Sequence, residues 1–298
     1  MSLTFFIDLD DTLLPNQHYY KIQGAKALRL VVEQLYPENR RVKRAARQLI
    51  AETVERGYRV PPLLNLIEEV EGDTSLLEAI LRKNQEIELE MIPHYKAKGE
   101  PYHRERFPTS WQETYLYFCK EQRRFPDDEV ARHVYDTAAS FWDIKPGLMW
   151  GAAGVLDYLK GHGDELHVLT KGDEVVQRHK LVTCRMERWI PEARWHIVSD
   201  KDRKIFRDCS AGMDLASVYM VGNSQKSDIN PALEAGANAI YIPFYTWVHE
   251  ESDHYSVPIA DRCALDERGE LLRLENGRKV FVLGNIKQLP DIYAELSP

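Results

Sequence analysis

FFIDLDDTLL, residues Phe5 to Leu14, decides how the rest of this 298-residue chain is read. Phe5, Phe6, Ile7 and Leu9 make a short apolar run of the buried-strand kind, and Asp8, Asp10 and Asp11 crowd its far end. Side chains two apart on an extended strand face the same way, so Asp8 and Asp10 are expected side by side at its mouth. Carboxylates this close repel one another, and a fold that buries them needs protons or a cation there, for which Mg²⁺ is the obvious candidate. Thr12 adds a hydroxyl and a backbone N–H in a turn where an anion fits. The plainer alternative is an acidic strand-to-loop turn whose carboxylates cap a helix.

Working outward, Pro15 to Lys145 reads as almost wholly helical, with apolar residues at three- and four-residue spacing over 21–35, 40–55, 75–91, 111–122 and 127–142. Asp73-Thr74-Ser75 and Asp127-Asp128 look like helix starts, and Pro37, Gly57, Pro61-Pro62, Gly72, Pro93, Pro101, Pro108 and Pro126 punctuate the segment. After Pro146-Gly147 the rhythm changes. A helix over 148–160 leads into the apolar strand ELHVLT, 165–170, then a helix over 174–188, with further strands at 195–199, 217–221 and 239–242. Such alternation predicts an α/β fold: a doubly wound parallel-sheet, Rossmann-like core (1–14 and 146–298) with an inserted α-helical cap domain (15–145). Residues 271–283 read as a hairpin about Asn276-Gly277, or with their second half as an edge strand of the main sheet, and 286–296 as a short closing helix.

Composition fits that picture and narrows the function classes. Apolar residues are 44% and charged ones 29% of the chain, and no apolar stretch approaches the ~20 residues of a membrane span. The early acids leave no signal-peptide pattern, so a cytoplasmic protein without a membrane partner is expected. Residues 15–145 carry 21 basic and 21 acidic side chains, so the net −8 belongs to the remainder, and it speaks against a nucleic-acid polymer as partner. The basic run Arg40, Arg41, Lys43, Arg44 and Arg47 spreads around its helix as a solvated face. Cys119, Cys184, Cys209 and Cys263 are scattered, without metal or disulfide spacing, and His249 and His254 miss the spacing of a helical zinc site.

Chemistry in parallel sheets gathers at the carboxyl ends of the strands. Those ends deliver Asp8 and Asp10, then Thr170, then Ser199-Asp200-Lys201, then Gly222-Asn223-Ser224 with Asp228. With these residues in this order, the chain resembles the haloacid dehalogenase-like superfamily of phosphohydrolases. DLDDTL (8–13) is similar to its first motif, VLTKG (168–172) to its second, Lys201 or Lys204 to its third-motif lysine, and VGNSQKSDI (221–229) to its fourth. The likeness covers roughly 1–14 and 146–245, and the helical insert fits the family's cap by location only.

The resemblance implies roles. Asp8 is the nucleophile that forms an aspartyl-phosphate, and Asp10 is the acid/base that protonates the leaving alcohol and then activates water. Thr170 hydrogen-bonds the transferring phosphoryl group and Lys201 offsets its charge, with Thr12 and Lys171 beside them in the substrate-binding set; for Lys171 a solvent-facing orientation is the plainer reading. Mg²⁺ takes Asp8, the Asp10 backbone carbonyl and the fourth-motif oxygens of Asn223 and Asp228. Asn223 departs from the more usual Asp. It keeps a carbonyl oxygen for a hard cation and removes one charge, which shifts weight to Asp228. The expected activity is Mg²⁺-dependent release of phosphate from a small phosphorylated metabolite, a nucleotide or sugar phosphate among the options. The alternatives are a non-catalytic metal- or phosphate-binding regulator, a phosphomutase, or a dehalogenase of the same fold, which attacks carbon without metal and has no use for Asp10.

Overall fold

In the computed structural model, which describes residues 2–72, 74–244 and 254–296, the apolar run of the opening stretch is strand β1, Thr4–Ile7. It lies inside an eight-stranded sheet with β2 (Glu165–Lys171), β3 (Trp195–Val198), β4 (Val218–Gly222), β5 (Asn238–Tyr241), β6 (Ile259–Ala264), β7 (Glu270–Leu274) and β8 (Lys279–Val282), in the order β3-β2-β1-β4-β5-β8-β7-β6. The first six strands of that order are parallel, and β7 and β6 continue antiparallel. From β1 the chain builds outward through β2 and β3, then returns to β1's other side for β4. That reversal opens a crevice at the carboxyl end of β1.

The pleat sends alternate side chains to opposite faces, and both faces are covered. Phe5, Ile7, Val168, Tyr219 and Val221 pack on one face with Leu156, Leu289 and Ile292. Phe6, Leu169, Val218 and Met220 pack on the other with Phe206, Ala232 and Ala235. The chain divides into two compact units, residues 1–15 with 145–298, and residues 16–144. The second is helical: α1 Asn16–Leu35, α2 Arg40–Glu55, α3 Leu63–Leu66, α4 Ser75–Ala97, α5 Arg106–Glu121 and α6 Asp128–Ala139. Leu28, Val31, Leu49, Ile80, Trp111 and Val134 form its core, while Arg40, Arg41, Arg44 and Arg47 are exposed along α2. In the sheet unit the helices are α7 Ala152–Gly161, α8 Glu174–Thr183, α9 Arg203–Cys209 and α10 Asn230–Ala235.

Several boundaries differ from the sequence reading for physical reasons. α4 runs through Pro93, because a proline deprives a helix of one N–H bond and here does so in an exposed last stretch. α8 stops at Thr183 because Arg185 takes a left-handed backbone, φ 56°. The 286–296 helix is instead a pair of 3₁₀ turns, Ile286–Gln288 and Pro290–Glu295. The hairpin about Asn276-Gly277 exists, and its second strand, β8, also pairs parallel with β5, which makes it an interior strand of the main sheet and not the edge strand of the alternative reading. The outer edge is β6, whose largely exposed IADRCA sequence carries no apolar alternation to announce it. Asp73 and His249 lie outside the described residues. No described helix is long and apolar enough to cross a membrane.

One packing detail on the second sheet face gives a pH prediction. His167 and His196 stack at 5.3 Å with one ring nitrogen of each 3.0 Å apart, Phe6 lies against both rings, and Glu165, itself paired to Arg194, takes the other nitrogen of His167. Burial lowers both imidazoles below their ordinary value, in His167 against the upward pull of Glu165. A native histidine with a lowered pKa binds fewer protons than the unfolded one, so stability falls as pH drops below about 6.5. His196→Phe should flatten this slope. Denaturation midpoints at pH 7.5 and 5.5 test it, and an unchanged difference in the variant overturns the assignment.

Candidate active site

Asp8 directly follows β1 and continues its ladder, its N–H donating to Val221 O at 2.8 Å. The chain then turns tightly. Asp11 takes φ 61°, a conformation Asp tolerates better than most residues, and the N–H groups of Leu13 and Leu14 both bond to Leu9 O at 2.9 Å. This turn keeps Asp8, Asp11 and Thr12 buried at the carboxyl end of β1.

Two separate sets of donors hold the two carboxylates. Lys201, from the loop after β3, donates from Nζ to Asp8 Oδ1 and, at 2.6 Å, to Asp228 Oδ1. Asp228's other oxygen accepts the Ser224 N–H at 2.9 Å. Asp10 is instead gripped by α8, where Lys180 Nζ meets both its oxygens at 2.8 and 2.9 Å and Gln177 Nε2 donates to Oδ2 at 2.9 Å. The same Gln177 nitrogen reaches Thr170 Oγ1 at 2.8 Å and Lys171 O at 3.0 Å, and Thr170 keeps its own hydroxyl hydrogen to donate.

Burial pushes the Asp8 carboxyl up, to about 7, while Lys201 pulls it down and Asp228 pushes it up again. For Lys201, burial acts to lower the ammonium, but Asp228 and Asp8 outweigh it and raise it. A raised carboxyl and a raised ammonium on one hydrogen bond oppose each other. Two carboxylates act on one lysine, so the lysine stays an ammonium, and above about pH 7 it faces an Asp8 carboxylate.

Backbone features make these placements available. Residues Gln225–Ile229 form a π-helical turn that brings Ser227 and Asp228 inward, and Ser224 Oγ accepts the Ser227 N–H at 3.1 Å. Asp228 closes over Gly222 so tightly that a Cβ there would lie 2.4 Å from its carboxyl carbon. Asp173 caps α8 by accepting from the Val175 and Val176 N–H groups. Gly172, at φ 152°, leaves the space that Gln177 fills, since its Cβ would meet that side chain at 3.1 Å.

Neither a protein-family model nor a curated protein matches the chain. Among solved structures, a haloacid dehalogenase-like family hydrolase from Xanthomonas campestris matches with TM-score 0.58 and 14% identity, covering 99% of this chain and 96% of that one. The chain has the haloacid dehalogenase-like fold. A 2-haloacid dehalogenase from Pseudomonas syringae pv. Tomato DC3000 (TM-score 0.49, 16% identity, 100% of both chains) also matches. So does a magnesium-bound putative HAD-hydrolase, YfnB, from Bacillus subtilis (0.47, 16%, 81% and 89%). These two lower scores add nothing to the fold assignment.

Within this haloacid dehalogenase-like fold, Asp8, Thr12, Lys201, Asn223 and Asp228 come together, and Asp10, Thr170 and Lys171 join them through Gln177. Between the two candidate third-motif lysines the structure chooses Lys201, as Lys204 is exposed on α9. Lys171 is half-buried with its Nζ on Ser227 Oγ at 2.5 Å rather than directed at solvent. Lys180, which as sequence looks like part of a charged helix face, grips Asp10. Gln177 escapes sequence reasoning altogether. Its one usable signal is the three-residue spacing to Lys180, which puts both on one side of α8.

Proposed function

We propose that this chain is a Mg²⁺-dependent phosphohydrolase acting on a small phosphorylated metabolite through an aspartyl-phosphate. The observation that carries this reading is the separation of the two carboxylates, Asp8 on Lys201 and Asp10 on Lys180 with Gln177. A nucleophile and an acid/base need different surroundings, and these have them. An Asp8 oxygen attacks phosphorus, the bond from phosphorus to the ester oxygen breaks, and Asp10 delivers a proton to that leaving oxygen. Water then loses a proton to Asp10 and attacks phosphorus, which frees Asp8 and inorganic phosphate. Lys201 and the Thr170 hydroxyl face the phosphoryl oxygens through both steps. A carbon-attacking dehalogenase of the same fold would need no such second carboxylate.

The oxygens present suit a hard cation. Asp8 Oδ2 and Asn223 Oδ1 each lie 3.4 Å from the Thr12 hydroxyl, and one hydroxyl hydrogen cannot serve both. Among the described residues no cluster of three or more His, Cys, Asp or Glu side chains could hold a metal ion, and the oxygens at hand are the Asp8 carboxylate, the Asn223 amide oxygen and the Asp10 backbone carbonyl. Mg²⁺, which keeps several waters, matches such a set better than a metal that demands a full protein cage. Asp8, the Asp10 backbone carbonyl and Asn223 would hold it, and it would supply positive charge opposite the phosphoryl oxygens. Asp228, with both oxygens engaged, would support the site through Lys201.

The test is phosphate release from sugar phosphates, nucleotides and an aryl phosphate, with Mg²⁺ and with chelator, alongside halide release from a short 2-haloacid. Phosphate release that needs Mg²⁺ is expected. Halide release unaffected by chelator, with no phosphate release from any ester, would replace this reading with the dehalogenase one.

A further inference from the structure

We propose that Lys180 and Gln177 are positioning residues that hold Asp10 at the leaving oxygen, so that they set how poor a leaving group the site can handle. The inference rests on the phosphohydrolase reading and extends it to residues that no motif of the resemblance contains.

The geometry is specific. Asp10 sits on the turn after β1, in an isolated bridge with Leu14, and side chains of α8 meet its carboxylate. α8 supplies the direction. Lys180 Nζ lies 2.8 and 2.9 Å from the two oxygens, and the paired side chains are only 10% and 23% exposed. Gln177, 2% exposed, ties the same carboxylate to Thr170 and to the Lys171 carbonyl, so the acid/base and the phosphoryl-binding hydroxyl are referred to one amide. Its orientation follows from the acceptors around it. Turning the amide over would set its oxygen against the Asp10 carboxylate and the Lys171 carbonyl, although in the present orientation Oε1 is buried without a hydrogen-bond partner. A buried carbonyl left in that state is unfavourable, and the structure tolerates it where the two hydrogens of the amide nitrogen are shared among three oxygens.

The consequence is selective. A proton donor held within hydrogen-bond reach of the ester oxygen matters for an alkyl phosphate, whose alkoxide leaves badly, and hardly at all for an aryl phosphate whose phenolate leaves unaided. Loosening Asp10 should therefore penalise kcat/KM, which reports formation of the aspartyl-phosphate, for one substrate and spare it for the other, while water attack on that intermediate slows equally for both. A residue that merely stabilised α8 would lower both kcat/KM values together.

The experiment measures kcat and KM with an alkyl phosphate and 4-nitrophenyl phosphate for the wild type, Lys180→Met, Lys180→Arg, Gln177→Leu and Asp10→Asn, plus the double variant Asp10→Asn/Lys180→Met. For Lys180→Met we expect kcat/KM on the alkyl ester to fall about 100-fold and on the aryl ester to stay within about 5-fold, in line with the 10²–10⁴ that acid–base catalysis contributes to the first step. Lys180→Arg should recover part of the loss, and Gln177→Leu should show the same substrate bias. In the Asp10→Asn background, Lys180→Met should cost nothing further. Equal losses of kcat/KM on both esters, or an undiminished effect of Lys180→Met without Asp10, would overturn the proposal and leave the phosphohydrolase reading intact. Absence of phosphate release by the wild type from either ester would overturn both.

Discussion

Asp8→Asn is expected to reduce phosphate release by at least about 10³-fold while leaving the protein folded, since covalent and acid–base steps that act as a unit fail together when one member is lost. The neutral amide has no carboxylate to attack phosphorus. It does keep the shape of the side chain and an oxygen for Lys201, and the backbone N–H of residue 8 still bonds to Val221 O. The change also removes a buried charge whose desolvation alone pushes the carboxyl upward. Loss of activity should therefore come without loss of stability, a combination that a merely structural aspartate would not produce. Steady-state phosphate release and a denaturation curve on one preparation provide the check. Turnover in the variant comparable to that of the wild type would remove Asp8 as the nucleophile, and an unfolded variant would mean that its carboxylate is chiefly structural.

The parts of this site that were legible in the sequence are those where chain order alone does the placing. Asp8 and Thr170 sit at the ends of neighbouring parallel strands, paired in register through Ile7 and Val168, so a correct strand reading brings them together. Lys201 follows its strand closely enough for the same reasoning to work. Where direction depends on a side chain's reach or on an irregular backbone, the sequence is silent. Gln177 and Lys180 look like any polar face of a helix until α8 is set against the Asp10 turn. The π-helical turn at Gln225–Ile229 has no recognisable composition, yet it decides that both Asp228 oxygens are engaged. Gly222 reads as a strand end, and only the closeness of Asp228 shows why a side chain there has no room. β6 was invisible for the opposite reason: an exposed edge strand buries too little to impose a pattern.

Lys201→Met is expected to damage both stability and chemistry. The lysine's side chain is 4% exposed and lies between Asp8 and Asp228, themselves 8% and 2% exposed. Methionine fills a similar volume but leaves two neighbouring buried carboxylates without their shared cation. Breaking a buried pair in this way costs about 3–5 kcal/mol. The loss should depend on pH in a defined sense. A carboxyl whose native pKa is raised binds more protons in the folded state than in the unfolded one, so stability falls as pH rises from the ordinary value, 3.8, through the native one, already about 7 for Asp8 with Lys201 in place. Without the lysine's downward pull the upper end of that window moves higher still. Denaturant midpoints of wild type and variant across pH 6 to 9, in chelator so that no metal substitutes for the missing charge, should diverge as pH rises through about 7. Activity should drop by about 10²–10³, the effect of removing one preorganised charge-stabilising donor. A pH-independent gap between the two curves would mean that Asp8 and Asp228 do not depend on Lys201 for their charge. The lysine's place beside the nucleophile would then be a matter of packing, and its part in phosphoryl transfer would have to be reassigned.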